Sequence, residues 1–417
     1  MKLAIAAALL ACTGCDLVTD SFVTNDFSGD VYPIAVETTS GAIVVGLRPE
    51  DSPDRTAVLD LLSPITLVDP GAGVSPSVTT SDLIVLGLRP TGELDLPRAQ
   101  FPDAQVLALH MCVDDTCNVG PTSAPRPFDA IIGADALAGD AVRMRLGDNE
   151  LFVLADVAGD AEDRAAACDA VFPSPYRGGG TLVVAGTELG FTGRRVTMQT
   201  CLGPDPDPAL PQSQRGADAL MLISTGIGTS LIGQTAYERY VVAHPLTAIP
   251  FEDLATTGEV FLPSGPVAGR VAMIAGLALV ARSSTTPRAP CRHVYGHHLL
   301  LADDCKDGDD CPCENGDAFC PIPAVLELPN MIEMLVIPDD NPTLQALRTE
   351  LRPDQPEVDG IIGTNALRTS ELDIDYPNAR VLARCTTPEC VARPAMPARE
   401  DRLPIENCLL AGPIPRR

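Results

Sequence analysis

The sequence predicts a mainly β protein built from two copies of one domain, and three observations point there. Thirty-nine prolines and 34 glycines spread over 417 residues mark frequent turns, which favour short strands over long helices. Helical periodicity is confined to two short stretches, "QTAYERYVV" after Gly233 and "TLQALRTEL" near Leu344. Several sequence blocks also recur in the same order in both halves. Apolar residues make up 45% of the chain, but aromatics only 4% and Trp is absent, so the core is Val, Leu, Ile and Ala.

The chain opens on "MKLAIAAALLACTGC", one positive charge followed by an apolar stretch and small residues that end in cysteine. That stretch is too short to cross a bilayer and reads as an export signal. It resembles a bacterial lipoprotein signal, which implies cleavage before a lipidated Cys15 or Cys12 and a lipid anchor in a cell-envelope membrane, on its periplasmic or surface face. Residues 1–15 are then the signal and 16–30 a linker. Leaving those two cysteines aside, an even number remains of the 14, which suits an oxidising compartment. Cys112 with Cys117 and Cys385 with Cys390 lie close enough to staple tight turns, while the other eight stay unassigned.

The repeat runs through three blocks. The first half has "ITLVDPGAG", "GELDLP" and "FDAIIGADAL"; the second has "LMLISTGIG", "GEVFLP" and "VDGIIGTNAL". "ITLVD" and "LMLIS" read as buried strands, and the glycines after them permit sharp turns. "AIIG" and "GIIG" read as short strands ending where a side chain would obstruct a crossing backbone. Downstream, "AVRMRLGDNELFVLAD" and "SELDIDYPNARVLARC" each read strand, turn, strand. The lobes are expected over 31–165 and 166–395, with a tail over 396–417. Extra residues in the second copy fall in a Cys-rich insertion at about 285–325, which contains "CKDGDDCPCENGDAFC".

These blocks resemble the aspartic protease superfamily, pepsin-like in having two lobes and retropepsin-like in local sequence. The resemblance implies a duplicated acid-protease β-barrel. It places the family's apolar-apolar-Asp-Thr-Gly-Ala motif on Asp69, Pro70, Gly71 and Ala72 in one lobe. In the other lobe it falls on Ser224, Thr225, Gly226 and Ile227, with Gly133 and Gly363 closing the later motifs. In that family two aspartates face one another, share one proton and activate a water, so the chemistry needs both. Here the aligned pair is Asp69 and Ser224, an incomplete dyad. Pro70 replaces the threonine that helps lock the loops, and no tyrosine occurs between Tyr32 and Tyr176 to serve as a flap residue.

The expectation is therefore a degenerate, non-catalytic member whose interlobe cleft binds an extended peptide. Two alternatives stand beside it: an active endopeptidase using Asp69 with an unrecognised second group such as Asp218, and a structural envelope lipoprotein. Ser224 as a hydrolase nucleophile lacks a G-x-S-x-G turn and a motif-supported histidine. A net charge of −27 repels phosphate backbones and excludes nucleic acid as a partner. "CRHVYGHH" fits no familiar zinc spacing, and the acidic Cys305 to Cys320 loop lacks an EF-hand register, so no metal and no cofactor are expected. The expected state is a monomer.

Overall fold

The computed structural model describes residues 31–36, 41–49, 54–71, 73–88, 93–110, 129–137, 140–154, 168–173, 177–184, 187–205, 215–262, 265–281, 291, 294, 324–328, 331–349 and 357–393. The lipidation candidates Cys12 and Cys15, the pair Cys112 and Cys117, Ala72, and the cysteines from Cys305 to Cys320 lie outside them.

The architecture is mainly β. In the first half, strands Ile43–Pro49, Arg55–Leu59, Ala130–Ile132, Thr66–Val68, Leu94–Ala108 and Ser77–Leu88 close into a barrel in that order. Alternation sorts their side chains. Ile43, Val45 and Leu47 enter the main core, whereas Val44 joins Ala42, Val58 and Leu88 in a separate cluster on the opposite face. Both faces are covered, so Ile43–Pro49 reads as a continuous buried run rather than an alternating one.

The second half repeats this order with Thr197–Leu202, Ala217–Ile223, Gly360–Ile362, Ser230–Gly233, Ile332–Ile337 and Gly265–Ile274, inside a larger sheet. The parallel pairings match: Arg55–Leu59 lies beside Ala130–Ile132 as Ala217–Ile223 lies beside Gly360–Ile362. Likewise Thr66–Val68 lies beside Leu94–Ala108 as Ser230–Gly233 lies beside Ile332–Ile337. The two expected helices are present as Gln234–Ala243 and Pro342–Thr349. A Cβ on Gly133 would stand 2.4 Å from the Ile65 carbonyl oxygen, which is the backbone crossing expected at the Ile-Ile-Gly turn.

One expected match fails. "GELDLP" leads into Leu94–Ala108, but "GEVFLP" lies in Thr257–Leu262, which forms a hairpin with Gly265–Ile274. By its pairings the true counterpart of Leu94–Ala108 includes Ile332–Ile337. Both Gly-Glu segments have strand composition and end in proline, so sequence similarity reflects shared propensity rather than shared position. The halves differ at this point. Between Val68 and Ser77 the first has no strand or helix among the described residues, while the second inserts a helix and a hairpin strand after Gly233.

The halves meet in a six-stranded sheet ordered Val31–Ala35, Glu150–Leu154, Ala141–Arg145, Ser370–Asp375, Arg380–Cys385 and Ala170–Pro173. Its two central hairpins are the strand-turn-strand units expected from sequence. At their junction the antiparallel register sets Arg143 opposite Asp373 and Arg145 opposite Glu371. Arg143 is fully buried and donates from Nε to Asp373 Oδ1 at 2.6 Å and from Nη2 to Oδ2 at 2.8 Å. Arg145 donates to Glu371. Charges taken out of water need this forked pairing to offset their desolvation.

The short loop between Cys385 and Cys390 is closed by a disulfide, as the spacing suggested. A second disulfide joins Cys201 to Cys291 across a sequence separation of 90, too distant to be assigned from spacing. Cys168 is a free thiol, and burial pushes it up to about 12.

Breaking the junction should be costly. Arg143→Ala leaves buried Asp373 without its forked partner and is expected to lower unfolding free energy by about 3–5 kcal/mol in urea titrations. A loss below about 1 kcal/mol would show that the lobes do not depend on this pair.

Candidate functional site

The site forms where two equivalent strands end side by side. Arg55–Leu59 ends at Asp60, whose N–H donates to the Ile132 carbonyl at 3.0 Å; Ala217–Ile223 ends at Ser224, whose N–H donates to Ile362 at 2.9 Å. The match continues beyond them. Gly133 N–H donates to Thr66 Oγ1 at 3.1 Å as Gly363 N–H donates to Ser230 Oγ at 3.0 Å. Asp69 N–H donates to Asp129 O at 2.7 Å as Gly233 N–H donates to Asp359 O at 2.7 Å. Position 60 is therefore the counterpart of 224, and position 69 the counterpart of 233.

This corrects the expected pairing. The residue facing Ser224 is Asp60, and Ser224 Oγ donates to Asp60 Oδ1 at 2.8 Å. Asp69 stands at the far end of the next strand, where its Oδ1 accepts from Gly71 N–H at 2.7 Å and lies 3.0 Å from His110 Nδ1. Pro70 and Gly71 follow it into an outer loop, so Pro70 does not interrupt the lock between the lobes. Asp218, the alternative partner, accepts the Cys291 N–H at 2.7 Å through Oδ1, away from the centre.

Leu61 and Leu62 occupy the positions matched by Thr225 and Gly226. The contact is consequently one-sided: Thr225 Oγ1 donates to Leu59 O at 2.7 Å and accepts from Leu61 N–H at 3.1 Å, with no hydroxyl at 61 to reciprocate. Ile43 N–H adds a bond to Thr225 O at 2.7 Å. Gly226 must be a glycine, since a Cβ there would stand 2.7 Å from Asp60 Cγ. Its N–H points at Asp60 Oδ1 at 3.3 Å and at Ser224 Oγ at 3.2 Å.

Burial defines the electrostatics. Asp60 is 1% exposed and Ser224 and Thr225 are 0% exposed. Burial pushes the Asp60 carboxyl above its usual range; hydrogen bonds from Leu62, Ser224 and Gly226 and the positive charge of Arg195 pull it partly back. Ser224 uses its proton on Asp60 and is sealed from solvent, so it offers no nucleophile. Two aligned carboxylates can share a proton and divide acid and base roles, but a carboxylate and a hydroxyl cannot. No His, Cys, Asp and Glu cluster suited to a metal ion occurs among the described residues.

Asp60 was legible only through spacing. "AVLDLLS" lacks the glycine that follows the aspartate in the family motif, whereas "ITLVDPGAG" carries one. The usable signal was the hydroxyl residue one strand later: Thr66 follows Asp60 at the same distance as Ser230 follows Ser224.

No protein-family model and no curated protein matches the chain. Among solved structures, an aspartic proteinase from Irpex lacteus is similar at 12% identity over 86% of this chain and 99% of that one, with a TM-score of 0.39. Basic 7S globulin from soybean is similar at 11% identity over 87% and 95%, with a TM-score of 0.39. Conglutin gamma, a basic 7S globulin from lupine seeds, is similar at 7% identity over 86% and 95%, with a TM-score of 0.41.

The one-sided lock makes a separable prediction. Thr225→Val, isosteric but without the hydroxyl, strands the buried Leu61 N–H and Leu59 carbonyl and is expected to cost about 1–3 kcal/mol. Thr225→Ser retains the hydroxyl and should lose less in the same denaturation experiment. Equal losses would assign the effect to packing rather than to the bonds.

Proposed function

We propose that this is an exported, lipid-anchored protein of the acid-protease architecture that does not hydrolyse peptides and holds an extended peptide between its lobes. The observation that supports the loss of catalysis is the hydrogen bond from Ser224 to Asp60: the centre has one carboxylate where the reaction requires two. Removing one member of an acid–base pair typically costs about 10²–10⁴ in rate. Burial of both Asp60 and Ser224 adds to this, because a scissile carbonyl cannot approach them in this conformation. The anchor reading is supported by the N-terminal apolar run and its cysteines, and the export reading by two disulfides among the described residues.

Peptide binding is the role that this architecture retains without chemistry. A strand-like ligand needs only backbone donors and acceptors along the cleft, with side-chain pockets for selectivity. The strong negative charge of the chain favours a cationic peptide by long-range attraction.

The test uses mature, oxidised protein incubated with a denatured protein mixture from pH 2 to 7, with products read by mass spectrometry. No cleavage above background is expected, and Asp60→Asn should give the same profile. Cleavage that disappears in Asp60→Asn would overturn the non-catalytic reading. Binding is measured with a library of basic extended peptides. Retention of a subset, weakened by N-methylation of the peptide backbone, is expected; no retention would leave a structural envelope role in its place.

A further inference from the structure

The helix Gln234–Ala243 leads into a loop that shows apolar side chains to solvent and is nevertheless tied to the protein beneath it. Val242, on the last turn of the helix, is 70% exposed, Leu246 is 96% exposed and Ile249 is 53% exposed. Apolar residues scattered singly over a surface need no explanation, but a run of them along one loop forms a patch. The backbone of that loop is fixed. Thr247 and Ala248 N–H donate to the His244 carbonyl at 3.2 and 2.9 Å, closing a tight turn beyond the helix. The hydroxyl of buried Tyr237 donates to the Ile249 carbonyl at 2.6 Å. Arg270, from the strand Gly265–Ile274, donates from Nη1 to the Glu252 carbonyl at 2.7 Å and the Phe251 carbonyl at 3.0 Å. Its guanidinium lies 5.0 Å from the centroid of the Phe251 ring. A slack loop would fold its leucine and isoleucine inward to remove them from water. Tied at Ile249, Phe251 and Glu252, this one holds them out.

The exposed charges beside the patch are of one sign. Glu238 lies one helical turn before Val242 on the same face, and Glu252 and Asp253 follow Ile249 in a 3-10 turn; all three are exposed. The cations nearby are engaged: Arg239 donates to Asp359 Oδ1 at 2.9 Å, and Arg270 is committed to the loop carbonyls.

We propose that this loop docks a cationic amphipathic helix of a partner protein. The apolar stripe of that helix lies against Val242, Leu246 and Ile249, and its basic flanks face Glu238, Glu252 and Asp253. Charge selects this occupant. A second copy of a chain with net charge −27 would bring like charge to the contact, and an anionic bilayer would do the same. An apolar centre inside a polar rim is the ordinary arrangement of a protein–protein contact. Because the loop is already ordered, binding loses little conformational entropy on this side. The site uses neither Asp60 nor Ser224, and it stands whether or not a peptide lies between the lobes.

The test uses the full, oxidised, unlipidated chain and, as probe, an amphipathic leucine–lysine peptide of about 18 residues, long enough to form a helix. Binding is read by calorimetry at about 0.15 M salt. Leu246→Asn with Ile249→Asn leaves the charge unchanged and is expected to weaken binding about tenfold or more. Glu252→Gln with Asp253→Asn should weaken it as well and flatten its dependence on salt. The Leu246 and Ile249 methyl resonances should shift when peptide is added to the wild type, a readout that needs no variant. Equal binding by the wild type and the Leu246→Asn, Ile249→Asn protein would overturn the proposal, since the attraction would then be that of an acidic surface alone. Dimerisation abolished by those two substitutions would overturn it in favour of a second copy. Attachment to phosphatidylcholine–phosphatidylglycerol vesicles abolished by them would overturn it in favour of a membrane.

Discussion

The hydrogen bond between Ser224 and Asp60 is the point at which the two halves of the chain are held to a common geometry. It cannot exist unless two strands from different halves end side by side, each anchored by its own Ile-Ile-Gly strand. Around it the Thr225 hydroxyl, the Gly226 amide and the Arg195 guanidinium all cross from the second half to the first. Exchange with water leaves a net gain of about 0.5–1.5 kcal/mol for a neutral pair among these bonds and about 1.5–3 kcal/mol where a charged group takes part. Burial makes them binding: any donor or acceptor left unmatched here would cost more than its bond gained.

The interlobe sheet supplies the second fixed point. Three strands of the first half lie beside three of the second, so the register that sets Arg143 against Asp373 also fixes how the halves sit about the site. A site with so many crossing bonds is better suited to constancy of shape than to movement. That fits the non-catalytic role proposed for this centre.

Much of the architecture was legible in the sequence for identifiable physical reasons. The paired hairpins after Ala141 and Ser370 show because turn residues interrupt two-residue alternation, and the helix after Gly233 shows because its apolar residues follow a helical period. Gly133 and Gly363 show because only glycine fits beneath a crossing backbone. The identity of the acidic residue showed only in the spacing of Thr66 after Asp60, which matches that of Ser230 after Ser224. Asp60 is followed by two leucines, and its role is set by pairing with strands far away in sequence. The aspartate-then-glycine pattern points to Asp69 through Gly71, whereas hydrogen bonding makes Asp69 the counterpart of Gly233. The Gly-Glu blocks misled for a related reason: strands of like composition arise wherever a sheet needs them. Arg195 carried no sequence signal at all, because its meaning comes from the fold.

A crystal structure of the mature, oxidised protein tests the central claim most directly. It should place Ser224 Oγ within hydrogen-bond distance of the Asp60 carboxylate, with Asp69 turned away toward His110. Any carboxylate other than Asp60 facing Ser224, or a second acidic side chain within reach of Asp60, would contradict the account of a centre reduced to one acid.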